Sequence, residues 1–174
     1  MLEAIRRRVS DMRSISQLSQ MAETIAHDSG DDEPGAEHFL LAAFDLPDRT
    51  AQIVFDSLGV DRAAISAAIG AQYDRGLRQI GIEPSALDPD VTAGQAIHHR
   101  SPLYQAHPSA ATLFKILYDK HQTMRTLPLS GALVVAAVAA LERGVTARVF
   151  AELNLDRERI QVLALTAARA AASG

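Results

Sequence analysis

The chain carries six histidines, no cysteine and twenty-one carboxylate side chains, and these set the chemistry open to it. Without Cys there is no disulfide, no thiolate metal site and no thiol nucleophile. His98 and His99, with His107 nearby, are the side chains best suited to a metal, because imidazole is the commonest ligand group. Adjacent histidines on one element point apart, however, and no acid lies close to them, so no metal site is expected. Ser, His and Asp are all present, but no Gly-x-Ser-x-Gly elbow fixes a nucleophile. Glu33 and Glu37 stand four apart, the spacing at which two carboxylates share a helix face, yet Pro34-Gly35 between them breaks the helix that would align them. Solvent exposure is the simpler account of that pair. No Gly-x-x-x-x-Gly-Lys-[Ser/Thr] loop occurs, so the usual cradle for nucleotide phosphates is missing. The residues therefore predict no catalytic group, no cofactor and no metal.

Charge and composition narrow the classes of partner. The 174 residues have a formal charge of −4, with 48% hydrophobic and 22% charged side chains, which is the composition of a globular chain long enough to bury a core. A 5% aromatic share without Trp predicts a core of Ala, Leu, Ile and Val, which suits closely packed helices. Nucleic acid and anionic membranes both require a positive surface field, and the one basic run, Arg6-Arg7-Arg8, is short and offset by Asp28, Asp31, Asp32 and Glu33. It reads as a solvated helix face. The most apolar run, Ala132 to Leu141, is about half of the ~20 residues that a membrane span needs, and it reads as a buried helix. The start, Met1-Leu2-Glu3-Ala4-Ile5-Arg6, lacks the apolar stretch of a signal peptide, and the absence of Cys fits a reducing compartment, so the expected location is cytoplasmic.

The elements that must position any site repeat along the chain. Shifted by 95 positions, the two halves match without a gap, and the matches fall on apolar residues: Leu18 and Met21 meet Leu113 and Ile116, and Val54, Phe55 and Leu58 meet Val149, Phe150 and Leu153. The closest stretch is Leu58-Gly59-Val60-Asp61-Arg62 against Leu153-Asn154-Leu155-Asp156-Arg157. Gly and Asn best tolerate the left-handed conformation that ends a helix, and Asp61 and Asp156 are placed to cap the helices that follow. Each half reads as four short helices. In the first, Ile15, Leu18, Ala22, Ile25 and Ala26 keep helical spacing until Ser29-Gly30 and Pro34-Gly35 stop them; further stripes carry Phe39 to Phe44, Ala51 to Leu58 and Ala64 to Ile69. The second half should place helices near 108–121, 131–142, 145–153 and 156–171, and an extra short helix can precede the first half over 2–13. Alternating strand patterns are absent. Between the halves, from about Gly70 to His107, recurring Gly and Pro interrupt any long helix, leaving a long connection that is either a tether or a covering flap.

At Gly35-Ala36-Glu37-His38-Phe39-Leu40-Leu41 the sequence resembles the Gly-Thr-Glu-His-Ile-Leu-Leu signature of the Clp amino-terminal repeat domain. Ala22 and Ala26 upstream, with Ala51, Leu58-Gly59-Val60 and Ile65 downstream, extend the likeness over Ile15–Ile69. In the second half Ser130-Gly131-Ala132-Leu133-Val134-Val135 takes the signature's place without its Glu and His, as a degenerate copy. The resemblance implies an eight-helix, pseudo-twofold domain that, in Clp chaperones, precedes the ATPase rings and binds substrates, adaptors or phosphoarginine-bearing proteins; the rings have no counterpart here. It carries over one acid, Glu37, which in the family faces a guanidinium, a group that gives a carboxylate two parallel N–H bonds. An acid in the first turn of a helix also gains ~0.3–1 kcal/mol from the helix dipole, a purely structural reading that stays open. The family's hydroxyl near the start of its first helix is Met12 here, and its second acid is Ala132. His38 is read as structural, bonding loop backbone beside the helix start. Cyclic peptide antibiotics dock on related domains, so sequestration of such a compound is an alternative role.

The expectation is therefore an all-α protein: two pseudo-twofold-related four-helix repeats in one compact eight-helix domain, with an N-terminal extension over 1–13, a first repeat over 14–70, a linker over 71–106 and a second, degenerate repeat over 107–174. Its expected function is non-catalytic binding of a protein or peptide, substrate, adaptor or Clp component. The alternative is a regulatory or structural interaction protein that uses the groove between repeats, or the linker, for an unrelated partner. Glu37 and Met12 are the candidate contacts from the signature. Leu103, Tyr104, Phe114 and Tyr118 form the richest aromatic cluster near the groove, either as core or as exposed anchors for a peptide.

Overall fold

The computed structural model describes residues 2–81, 83, 107–124 and 127–173, with side chains from Asp11 onward. Among the described residues there are eight helices and no strand: α1 (Leu2–Asp28), α2 (Ala36–Phe44), α3 (Thr50–Asp56), α4 (Arg62–Gln79), α5 (Pro108–Thr123), α6 (Gly131–Ala139), α7 (Val145–Glu152) and α8 (Arg157–Ser173). None of them is long and apolar enough to cross a membrane.

Two short helices form the centre. Every residue of α2 and of α6 is buried; α6 is apolar all round, as such a helix must be, whereas α2 carries Glu37 and His38 into the interior with it. They pack against each other, α1 lies on α2, and α5 lies on both. The outer helices then cross between halves: α3 packs on α8, and α4 packs on α7. Gly131 opens α6 where there is no room for a side chain, since a Cβ there would lie 2.8 Å from the Ala43 carbonyl oxygen and 3.2 Å from the Ala51 Cβ. Aromatic rings tie the layers together. Phe39 meets Phe114 edge-on at 5.0 Å, Phe44 stacks on Phe55 at 5.0 Å, and Phe55 reaches Phe150 at 6.3 Å.

Helix ends follow the local chemistry of the sequence. Gly59 and Asn154 both adopt positive φ, +70° and +54°. In both places the same backbone bond closes the turn, Val60 N–H to Phe55 O at 3.1 Å and Leu155 N–H to Phe150 O at 2.7 Å, the six-to-one bond of a left-handed helix stop. Asp61 Oδ1 then accepts from the Ala64 amide at 2.7 Å, and Asp156 Oδ1 from the Glu158 amide at 2.8 Å, capping α4 and α8 as expected.

Three boundaries differ from the sequence reading. No separate helix covers 2–13, because α1 runs unbroken to Asp28; nothing in the chain before Ser29-Gly30 terminates it. Helix α4 continues past Gly70 through Gly76 to Gln79, so the connection starts later than residue 71. Each of the two glycines weakens the helix by only about 1 kcal/mol, and between them buried Gln72 bonds to Glu152 and Arg148 of the neighbouring helix. Helix α6 stops at Ala139 rather than Glu142, and the Leu141 carbonyl accepts instead from Arg157 Nη1 at 2.7 Å.

Candidate functional site

The signature residues build a polar cluster at the start of α2. Gly35 is the N-cap, and its amide donates to His38 Nδ1 at 2.9 Å, so the imidazole does at the third helical position what Glu or Gln does in a capping box. The Ala36 amide donates to Ser109 Oγ, 3.1 Å away at the start of α5. Because Nδ1 accepts, neutral His38 carries its proton on Nε2, which faces Asp31 Oδ2 at 3.4 Å. Burial lowers the His38 pKa from 6.5, as does the neighbouring His107, although the charges of Glu37 and Asp31 oppose the shift. The structure thus gives His38 the backbone-bonding role anticipated for it.

Glu37 is not the exposed acid that its position beside Glu33 suggested. It is only 3% exposed, and its carboxylate curls back over Gly35, occupying the space where a Cβ would project, with Cδ at 2.8 Å and Oε2 at 2.9 Å from that position. Glu37 Oε1 accepts a hydrogen bond of 2.7 Å from the hydroxyl of Tyr73, on α4. Burial, then the charge and hydrogen bond of Glu37, then the same two influences from Asp31, hold the Tyr73 phenol above its usual range. The result is a cluster of two carboxylates, a neutral imidazole and a phenol that stays protonated. Such a set is rich in acceptors and suits a cation with several N–H groups. Among the described residues, no cluster of three or more His, Asp or Glu is disposed to hold a metal.

The corresponding end of α6 is filled from within. Asp48 Oδ2 accepts from the Gly131 amide at 2.9 Å, Thr50 Oγ1 accepts from the Ala132 amide at 2.7 Å, and Ser130 Oγ accepts from the Leu133 amide at 3.4 Å. Asp48 Oδ1 in turn receives both the Thr50 hydroxyl and the Thr50 amide, at 2.6 and 2.8 Å. At this end of α6 the carboxylate comes from Asp48, in the α2–α3 connection, and both of its oxygens accept hydrogen bonds within the fold.

The other candidate residues separate. Met12 faces solvent at 71% exposure, while its neighbour Asp11 is buried and accepts from the Leu129 amide at 2.9 Å. Phe114 turns inward onto Phe39, and Tyr118, one turn on, is 63% exposed. Leu103, Tyr104, His98 and His99 lie outside the described residues, as does most of the expected linker. His107 Nδ1 and Ser109 Oγ approach to 2.8 Å at the start of α5, where the hydroxyl also accepts from Ala36; their bonds cap two helices. The expected groove between halves is core along its middle, because α2 and α6 meet there with all their residues buried. What remains accessible is the rim, where Asp31 and Tyr73 are each about one-third exposed.

Tyr73, Asp31, Ser109, Asp48 and Thr50 were not singled out by sequence reasoning. For Tyr73 a signal existed: Ile65, Ala68, Ile69, Gln72 and Tyr73 continue one helical stripe through Gly70. Neither protein-family models nor curated proteins return a match to this chain.

Proposed function

We propose that the chain is a non-catalytic module that binds a protein or peptide, of the kind its Clp-repeat signature implies, and that Glu37 and Asp31 receive a cationic side chain of the partner. The observation that carries this reading is the pair of carboxylates at the first turn of α2, one buried under a phenol and the other at the surface. A guanidinium offers the planar set of donors that such acceptors take best. Duplication into two pseudo-twofold halves is part of the same reading. It is supported by the matching helix stops at Gly59 and Asn154 and by the contact of Phe55 with Phe150, corresponding residues that a twofold axis would bring together. Substrates, adaptors or components of a cytoplasmic Clp-type machine are the partners the resemblance favours.

The committed N-terminus of α6 favours a second reading, an interaction protein that has kept the repeat architecture for an unrelated partner. Capture from a cell lysate separates the two, using wild-type and Glu37→Gln protein. Recovery of Clp components by the wild type, reduced at least about tenfold by Glu37→Gln, is the expected outcome, since a hydrogen-bonded charge pair contributes roughly 1.5–3 kcal/mol. Equal recovery by both proteins removes Glu37 from the site, and recovery of other proteins alone favours the second reading.

A further inference from the structure

The Glu37 carboxylate is closed off on one side by Gly35 and on another by Tyr73, and only the second can move without disturbing a helix. We propose that Tyr73 is a side-chain gate, and that its outward rotation about α4, with the helix itself fixed, determines when the carboxylate pair is open to a guanidinium; this rests on the cation-binding role proposed above. Three features of the structure lead there.

The ring sits at the boundary between core and solvent, with Tyr73 37% exposed over a Glu37 that is 3% exposed. The residues three before and three after it in the helix, which would hem the ring on its own face, are Gly70 and Gly76, and both look onto open space with no heavy atom within 4 Å of a Cβ built there. The staggered χ1 wells open to a helical aromatic lay the ring over the preceding turn, where Gly70 leaves room for it. The helix that carries the gate is pinned. Next to Tyr73, buried Gln72 donates to Glu152 and accepts from Arg148 Nε at 3.2 Å, and Arg75 reaches Glu152 at 3.2 Å, all on α7. Opening therefore breaks the hydrogen bond from the Tyr73 hydroxyl to Glu37 Oε1 and the hydroxyl's weaker interaction with Asp31, and leaves the α4–α7 contacts in place.

Carboxylate footprinting tests the gate without any ligand. The intact chain is treated with a water-soluble carbodiimide and glycine ethyl ester, and coupling at Glu37 is followed by mass spectrometry, with circular dichroism to confirm that each variant is folded. Tyr73→Ala should label at Glu37 at least about tenfold faster than wild type, and Gly70→Leu, which fills the space for the swung ring, should label more slowly. Equal rates in wild type and Tyr73→Ala overturn the proposal, as does an unchanged rate in Gly70→Leu. A titration with a short acetylated peptide bearing one Arg, against the same peptide with Gln, then tests the site. Tyr73→Phe, which lacks only the hydroxyl, should bind the Arg peptide about tenfold more tightly than wild type, the scale of one hydrogen bond to a charged group. Equal affinity of wild type and Tyr73→Phe, lost in Glu37→Gln, overturns the gate and leaves the cation site standing. Accelerated labelling in Tyr73→Ala with no Arg-specific binding in any variant keeps the gate and removes the cation as its ligand.

Discussion

At position 35 a side chain would run into the Glu37 carboxylate, so the glycine of the signature serves the acid that follows it. His38 completes the arrangement by taking the Gly35 amide, and it does so as a neutral imidazole in a buried setting. Its folded pKa lies below the 6.5 of an unfolded histidine, with burial the largest cause. Below that pH the unfolded chain takes up a proton that the folded chain refuses, so the unfolded state is favoured as the solution becomes more acidic. Stability should be fullest above about pH 6.5 and should fall as pH drops from there toward the folded value. Urea unfolding at pH 7.5 and 5.5 measures this. In His38→Gln, whose amide oxygen can still accept from Gly35 as capping-box Gln does, the drop between the two pH values should shrink. An undiminished drop would assign the pH dependence to other groups.

Helices are where the sequence spoke most directly, because their ends are set by residues adjacent in the chain. Gly59 with Asp61, and Asn154 with Asp156, mark two stops and two starts at corresponding places, and the structure has all four. What depends on distant residues stayed hidden. Tyr73 reaches Glu37 across thirty-six positions, and Asp48 reaches Gly131 across eighty-three; neither separation leaves a periodic trace. The burial of Glu37 was missed for the same reason, since Pro34-Gly35 explains why it shares no helix with Glu33 but says nothing of a phenol arriving from α4. The paired stops allow a direct test of local equivalence. Gly59→Ala and Asn154→Ala each force an Ala into the left-handed region, and each should cost about 1–2 kcal/mol in urea unfolding. Asn154→Gly should cost nothing or stabilise. A cost confined to one of the two stops would show that only that turn is held locally.

For the molecule as a whole, the crossing of outer helices matters more than the count of elements. Each half lends its third and fourth helices to the other: α3 lies on α8 and α7 lies on α4, while α2 and α6, buried along their whole length, also pack on each other. Backbone donors cross as well, with Ala36 held by Ser109, and Gly131 and Ala132 held by Asp48 and Thr50. A half separated from its partner would expose part of a fully buried central helix and leave these amides without acceptors from the fold. Small chains bury too little surface to absorb such losses. Residues 1–83 and 107–174, expressed separately, should therefore each show a weak helical signal at 222 nm and a broad, non-cooperative loss of it in urea. Mixed in equal amounts, they should regain helix and a single sharp transition, with a midpoint that rises with concentration, because association now contributes to folding. A sharp transition in either half alone would mean that this half is an independent folding unit and that the crossing contacts are secondary to the packing within each half.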